Sequence, residues 1–158
     1  RFKRILAKSN NLQITLSPAT YSPEHYDLYH KYISARHQDG DMYPPTVDQY
    51  KSFIVGAAPY NKIMEVRDQD HKLISCTAID FLDDGISAVY TYYDPAIEKI
   101  SPGTLAVLLL CKMAKNNLLD YLYLGYWVKN SQKMHYKAQY RPLEIFNGEE
   151  WHLLNDEN

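Results

Sequence analysis

Between Lys62 and Asp94 the chain presents three strand-like runs in close succession, and the segments that follow leave few arrangements open. "KIMEVRD" and "KLISCTAIDFL" are separated only by residues 68–71, and "ISAVYTYYD" follows Asp83-Asp84-Gly85, a hairpin signal. Asp94-Pro95 ends this meander. Ser101-Pro102 then opens a long apolar helix over about residues 103–117, and "YLYLG" after it reads as a buried strand. Upstream, "NLQITLS" alternates as a first strand does. Ser22 caps and Pro23 starts a helix to about Ala35, and Thr46 caps a shorter one to about Val55. Downstream, Asn130 or Ser131 caps a helix to about Tyr140, where Pro142 forbids continuation, and "LEIF" and "EEWHLL" form a hairpin around Asn147-Gly148. The order β-α-α-β-β-β-α-β-α-β-β predicts an α/β protein, a central mixed sheet with helices on both faces.

This order resembles the GNAT acetyltransferase fold, in which the strands before and after the long helix splay apart to admit an acyl donor. Fold order by itself carries no function. The 158 residues suit one domain, with residues 1–11 as a basic junction and 12–158 as the acyltransferase-like domain. The longest apolar run, residues 105–111, is far too short to cross a bilayer. Cys76 and Cys111 lie far apart without a CxxC grouping, which suits buried thiols in a reducing cytoplasm. The chain begins with Arg1, so residues upstream of it are expected.

The net charge of −2 argues against a general nucleic-acid binder, but the charges are segregated. Arg1, Lys3, Arg4 and Lys8 open the chain without an acid. Residues 121–143 also contain none, yet carry Lys129, Lys133, Lys137 and Arg141 at steps of four. Like charges at that helical spacing cost roughly 0.2–0.5 kcal/mol per pair. Lys133 and Lys137 would form one helix stripe and Tyr136 and Tyr140 a stripe beside it. Alternating cations and rings suit unpaired nucleic acid, charge for phosphate and rings for bases. A solvated helix face with its tyrosines on the sheet explains the same pattern.

"AVYTYYDP", "YLYLGYW" and "KMHYKAQYRPLE", in that order, resemble the aminoacyl-tRNA–protein transferases: the arginyltransferases of eukaryotes and the aspartate/glutamate leucyltransferases of bacteria. "YSPEHYDLYHKYISARHQDGDMYPP" resembles the bacterial branch, and the likeness runs over about residues 14–151. The resemblance implies transfer of an amino acid, leucine in preference to arginine, from charged tRNA to the N-terminal amine of proteins beginning with Asp or Glu. That step creates an N-degron. It gives the acid-free segment an anionic partner, with Tyr126, Lys129, Lys133, Tyr136, Lys137 and Arg141 as tRNA-binding residues. It also implies a cysteine-rich region upstream of Arg1, holding an iron–sulfur cluster or a metal. No cofactor and no metal are expected in this chain, whose six histidines have no metal-ligand spacing.

Coenzyme A acetyltransferases carry [RQ]-x-x-G-x-[GA] at the start of the long helix, where backbone amides hold pyrophosphate. Counted from Gly103, the cation position is Ile100 and the last is Leu105, and both depart from the pattern. Lys99, Ser101 and Gly103 remain as candidates for a single phosphate or ribose of the tRNA. The acceptor needs a cation for its side-chain carboxylate and a carboxylate for its amine. "ARHQDGDM" supplies Arg36 and His37 for the first and Asp39 or Asp41 for the second, on the strength of the family likeness; by spacing alone it is an Asp-Gly turn. Tyr90, Tyr92 and Asp94 alternate and so share a strand face, where they would line the transfer site, with Asp94 orienting the amine or acting as base; a core tyrosine ladder is the other reading. The rival functions are a coenzyme A-dependent N-acetyltransferase and a fragment that binds tRNA or N-degrons without transferring.

Overall fold

Four antiparallel strands, β1 (Gln13–Pro18), β2 (Asn61–Arg67), β3 (Leu73–Phe81) and β4 (Gly85–Tyr93), stand in sequence order, and β5 (Tyr121–Tyr123) adds to β4 in parallel. The structure is a computed structural model describing residues 1–97 and 99–154, the Lys133 side chain excepted. Helices α2 (Pro23–Arg36) and α3 (Val47–Ile54) cover one face, and α4 (Pro102–Asn116) packs against β3 and β4 from the other. Pairing fixes which residues meet which layer. Ile63 pairs with Ala78 and Cys76 with Tyr92, and all four join the core under α2 and α3, while the intervening Met64, Val66 and Thr77 are buried toward α4.

The mixed sheet with helices on both faces is therefore as expected, and so is the parting of two strands. β4 and β5 pair only at Gly85–Tyr121, Ile86–Leu122 and Ser87–Tyr123. Gly85 permits this approach, since a Cβ there would stand 2.6 Å from the Tyr121 carbonyl oxygen. Past Ser87, β4 runs on to Tyr93 without pairing to β5. On its other side Ala78 pairs with Tyr90 but Ile79 with Ala88, so Val89 is an extra residue and the strand bulges there. The expected burial of the "YLYLG" strand does not hold: Tyr121 is exposed, because three residues at the sheet edge leave its side chains uncovered.

Two helical pieces differ from expectation. Residues 2–7 form α1 (Phe2–Ala7), whose Ile5 is buried and which contacts α4, and a 3₁₀ turn follows at Lys8–Asn11. The Lys8 ammonium donates to the Lys99 carbonyl in the loop before α4. By compactness the chain forms two units, 1–123 and 124–158. In the second unit, Gln132–Gln139 is a 3₁₀ helix instead of an α-helix, and Ser131 makes no side-chain capping bond. Eight residues are too few for an uncapped α-helix to form readily in isolation. With about three residues per turn, side chains four apart no longer stack, so the expected stripe of Tyr136 and Tyr140 does not form; the cation stripe rests on Lys133, whose side chain lies outside those described. Tyr140 lies beyond the helix in extended backbone. The expected hairpin is present as β6 (Glu144–Phe146) and β7 (Trp151–Leu153), a two-stranded sheet of its own.

Of the 15 tyrosines, Tyr26, Tyr29, Tyr32, Tyr50, Tyr90 and Tyr92 build the layer between the sheet and α2–α3. Tyr29, Tyr50 and Tyr92 are fully buried, with Tyr29 edge-on to Tyr92 at 5.5 Å between ring centroids. The Tyr50 and Tyr92 hydroxyls pair at 2.9 Å. Burial pushes Tyr50 up to about 12 and Tyr92 beyond it, so both stay neutral. At the start of α2, Arg67 of β2 holds Glu24 at 2.7 Å and Glu65 at 2.8 Å, and His25 meets Glu65 at 2.9 Å. Removing the Tyr50 hydroxyl leaves the buried Tyr92 hydroxyl only the weakly bonding Cys76 thiol. Tyr50→Phe should cost ~1–3 kcal/mol in urea unfolding, and the Tyr50→Phe/Tyr92→Phe double variant less than the sum of the singles.

Candidate transfer site

The stretch of β4 beyond its pairing with β5 runs from Ala88 to Tyr93, and α2 brings its C-terminal turns to the same stretch. Tyr90 lies half-buried, with Phe53 at 5.3 Å, Tyr29 at 6.4 Å and Tyr32 at 6.5 Å. Tyr90 and Tyr92 do share the α2–α3 side. The lining role expected for Tyr92 is not met: it is 0% exposed, enclosed by Tyr29, Tyr50 and Cys76, and stands behind the site as part of the tyrosine ladder. Cys76 is likewise buried, and burial pushes its thiol up to about 12. Cys111 is exposed on α4, so the expectation of a buried thiol holds for Cys76 alone.

Asp94 follows β4 directly and is 2% exposed. Its carboxylate takes the Lys31 ammonium at 2.7 Å, the Lys72 ammonium at 3.2 Å and the Ala96 amide at 3.0 Å. Burial alone would raise its pKa. The hydrogen bonds from Lys31, Ala96 and Lys72 outweigh that and hold it at about 2. At neutral pH the carboxylate is therefore ionised and fully engaged by its three partners. Sequence reasoning missed Lys31 and Lys72. Nothing in their spacing points to Asp94; only the placement of α2 and of the turn before β3 brings them together.

The acceptor loop starts where α2 stops. His37 is the C-cap, its amide bonded to the Ile33 carbonyl, and Gly40 donates to the His37 carbonyl in the following turn. The His37 Nε2 lies 3.5 Å from the Tyr32 hydroxyl, and the rings meet edge-on at 5.3 Å. Arg36 acts on the same phenol, favouring its charged form. Arg36 and His37 are thus gathered near β4 through Tyr32, whereas Asp39 and Asp41 lie exposed in the turn. Tyr32 was not singled out in the sequence, although its place three residues after buried Tyr29 puts it on the sheet-facing stripe.

Beyond Asp94, the loop leads to α4, where Ser101 adopts left-handed backbone (φ 52°) and makes no side-chain capping bond. A Cβ on Gly103 would lie 3.8 Å from the Tyr93 ring, so the start of α4 adjoins the end of β4. Lys99 is exposed in the loop, its carbonyl taken by Lys8. In the second unit, Tyr126 is 91% exposed and its carbonyl accepts from the Lys137 ammonium at 2.6 Å; burial lowers the Lys137 pKa. Lys129 and Tyr136 are exposed, and the Arg141 guanidinium donates to the Ala138 and Tyr140 carbonyls. The expectation for Lys133 lies outside the described side chains. Trp127, Lys129, Ile145, His152, Leu153 and Leu154 line a cavity of about 300 Å³ in this unit. Among the described residues no three His, Cys, Asp or Glu side chains gather as a metal site, and no helix is long and apolar enough to cross a membrane.

A mixed sheet with parted β4 and β5, and a crossover helix starting beside the gap, defines a GNAT-like acyltransferase fold. A GNAT family acetyltransferase from Elizabethkingia anophelis with acetyl-CoA bound superposes with a TM-score of 0.54 at 13% identity, covering 91% of this chain and 94% of that one. The ribosomal-protein-alanine N-acetyltransferase of Brucella melitensis gives 0.54 at 16%, covering 81% and 89%. L-PGS from Bacillus licheniformis gives 0.58 at 11%, covering 83% of this chain and 42% of that one. At such identities the likeness is one of fold.

Sequence similarity is more specific. Residues 24–147 match the family described as arginine-tRNA-protein transferase, C terminus, and the chain belongs to that family. It is 43% identical over 149 residues to the aspartate/glutamate leucyltransferase of Hahella chejuensis, covering 94% of this chain and 63% of the relative. The Saccharophagus degradans enzyme of the same name is 44% identical over 149 residues, again 94% and 63%. A Pseudomonas fluorescens one is 43% identical over 153 residues, 97% and 65%. The chain therefore spans just under two thirds of these relatives' length.

The Asp94 cluster has a pH signature. Its pKa of about 2 is below the unfolded value of about 3.9, so its stabilisation is present above pH ~4 and is lost as pH falls toward 2. The shift corresponds to roughly 2–3 kcal/mol. The stability gap between wild type and Asp94→Asn should accordingly be largest near pH 6 and shrink by pH 3 in denaturant titrations; a gap unchanged with pH would remove Asp94 from the account.

Proposed function

We propose that this chain carries out aminoacyl transfer: leucine passes from charged tRNA to the α-amine of a protein whose first residue is Asp or Glu. The observation that carries this reading is the 43% identity to an aspartate/glutamate leucyltransferase across 94% of the chain. The open edge of β4, with its bulge at Val89, supplies a place where an ester could lie against backbone polar groups.

The chemistry asks for positioning more than for acid–base help. A neutral α-amine, with a pKa of about 7.7–8.0, attacks the ester carbonyl carbon. The C–N bond forms, the bond to the ribose oxygen breaks, and the ammonium proton leaves while the ribose oxygen gains one. Fixing the two reactants in line can supply roughly 7–11 kcal/mol of the barrier, and donors aimed at the developing oxyanion stabilise it further. In this reading Arg36 and His37 take the acceptor's side-chain carboxylate and Asp39 or Asp41 its amine. Tyr90 borders the reacting centre, and Asp94 sets Lys31 and Lys72 at its end. Lys99, Ser101 and Gly103 receive the terminal phosphate or ribose, and Tyr126, Lys129, Lys133, Tyr136, Lys137 and Arg141 contact the RNA. No step draws on a cofactor held by this chain. A cytoplasmic location, where charged tRNA resides, belongs to the same reading.

The test is transfer of labelled leucine or arginine from tRNA to a peptide beginning with Asp, using the intact protein. Leucine transfer is expected, with Lys137→Ala weakening tRNA binding and flattening its salt dependence by a slope of about 0.7–0.9 per lost phosphate contact. Transfer from neither tRNA, together with measurable coenzyme A binding, would leave a shared fold without the shared reaction.

A further inference from the structure

Tyr93 and Tyr90 point to opposite faces of β4: Tyr90 packs under α2 and α3, and Tyr93 against Gly103 at the start of α4. Tyr32 nevertheless meets both, at 6.5 Å from the Tyr90 ring and 4.7 Å from the Tyr93 ring. The meeting falls at the end of β4, beyond Ser87, where β5 no longer pairs with it. The Tyr32 and Tyr93 hydroxyls interact, and the Tyr32 hydroxyl also reaches to 3.5 Å from His37 Nε2. One phenol thus lies between the loop that begins at His37 and the residue that abuts the donor helix.

We propose that Tyr32 is the positioning residue that sets acceptor specificity: its hydroxyl, braced by Tyr93 across the open edge of β4, holds the His37 imidazole toward the acidic side chain of the acceptor's first residue. The inference rests on the aminoacyl-transfer reading above and adds a residue and a role to it. Burial, the first cause, and the neighbouring Tyr93 and Tyr90 push the Tyr32 hydroxyl well above its ordinary pKa, so it remains a neutral donor and acceptor throughout the working range. A neutral phenol can accept from a protonated imidazole, the form that binds a carboxylate, without competing for it as an anion would. Phenylalanine would keep the ring contacts and lose the hydroxyl's links to His37 and Tyr93. Tyr32 touches no reacting atom; it acts through His37.

The experiment compares wild type with Tyr32→Phe in the intact protein, with Leu-tRNA as donor and matched peptides beginning with Asp or Asn as acceptors. Wild type should favour Asp. The variant is expected to raise KM for the Asp peptide about tenfold, the scale of a lost hydrogen bond to a charged group, and to leave KM for Leu-tRNA and kcat near wild type. The Asp-over-Asn preference should fall by the same factor. A folded Tyr32→Phe that keeps the preference, or loses activity equally on both peptides, overturns the proposal. If Tyr32→Phe does not fold, Tyr93→Phe removes the brace while leaving Tyr32 in place, and an unchanged preference there overturns it equally. Wild type that transfers leucine to neither peptide overturns the transfer reading itself, and the role of Tyr32 with it.

Discussion

After Ser87, β4 stays paired to β3 but no longer to β5, and the features gathered at its C-terminal half depend on that edge. Unpaired backbone at a sheet edge is normally a liability, blunted by bulges, charge or a covering element. Here a bulge, two tyrosines and the end of α2 surround it. The edge is stable because the strand behind it is anchored elsewhere: Tyr92 is fixed by Tyr50 and Tyr29, and Asp94 by two lysines and a backbone amide. The strand can therefore present an opening on one side without loss of order.

The tyrosines have two jobs divided by depth. Tyr29, Tyr50 and Tyr92 are core residues whose hydroxyls are tolerated because they find partners. Tyr32, Tyr90 and Tyr93 lie only half-buried around the edge, where ring and hydroxyl both remain within reach of a ligand. The gradient runs along α2 and β4 together. Rigid packing at the inner end fixes the placement of groups at the outer end, the condition under which positioning can replace acid–base chemistry.

On the proposed reading, aminolysis of an activated ester asks chiefly for two reactants held in line. Asp94 is buried but fully engaged, so Lys31 and Lys72 are fixed with one net positive charge between them and the carboxylate. Arg36 and His37 lie at the end of α2, where the helix dipole favours cations.

Much of this was legible in the chain. The alternation of "KIMEVRD" through "ISAVYTYYD", Thr46 as a cap and Pro102 at the start of α4 fixed strands and helices, because those signals act within a few residues of one another. The family likeness and the acid-free segment were equally local to read. The 3₁₀ helix at Gln132–Gln139 was not, because Lys-Tyr spacing cannot distinguish three from 3.6 residues per turn in so short a piece. Nor could alternation along β4 separate Tyr92 from Tyr90, since a period of two gives the face of the sheet but not the depth beneath the helices. The partners of Asp94 and the reach of Tyr32 to both faces of β4 join segments 22 to 63 residues apart, or pass around an edge that exists only because β5 stops early. Sequence determined the elements and the chemistry available to them; the packing of α2 on an incomplete sheet decided which of those groups meet.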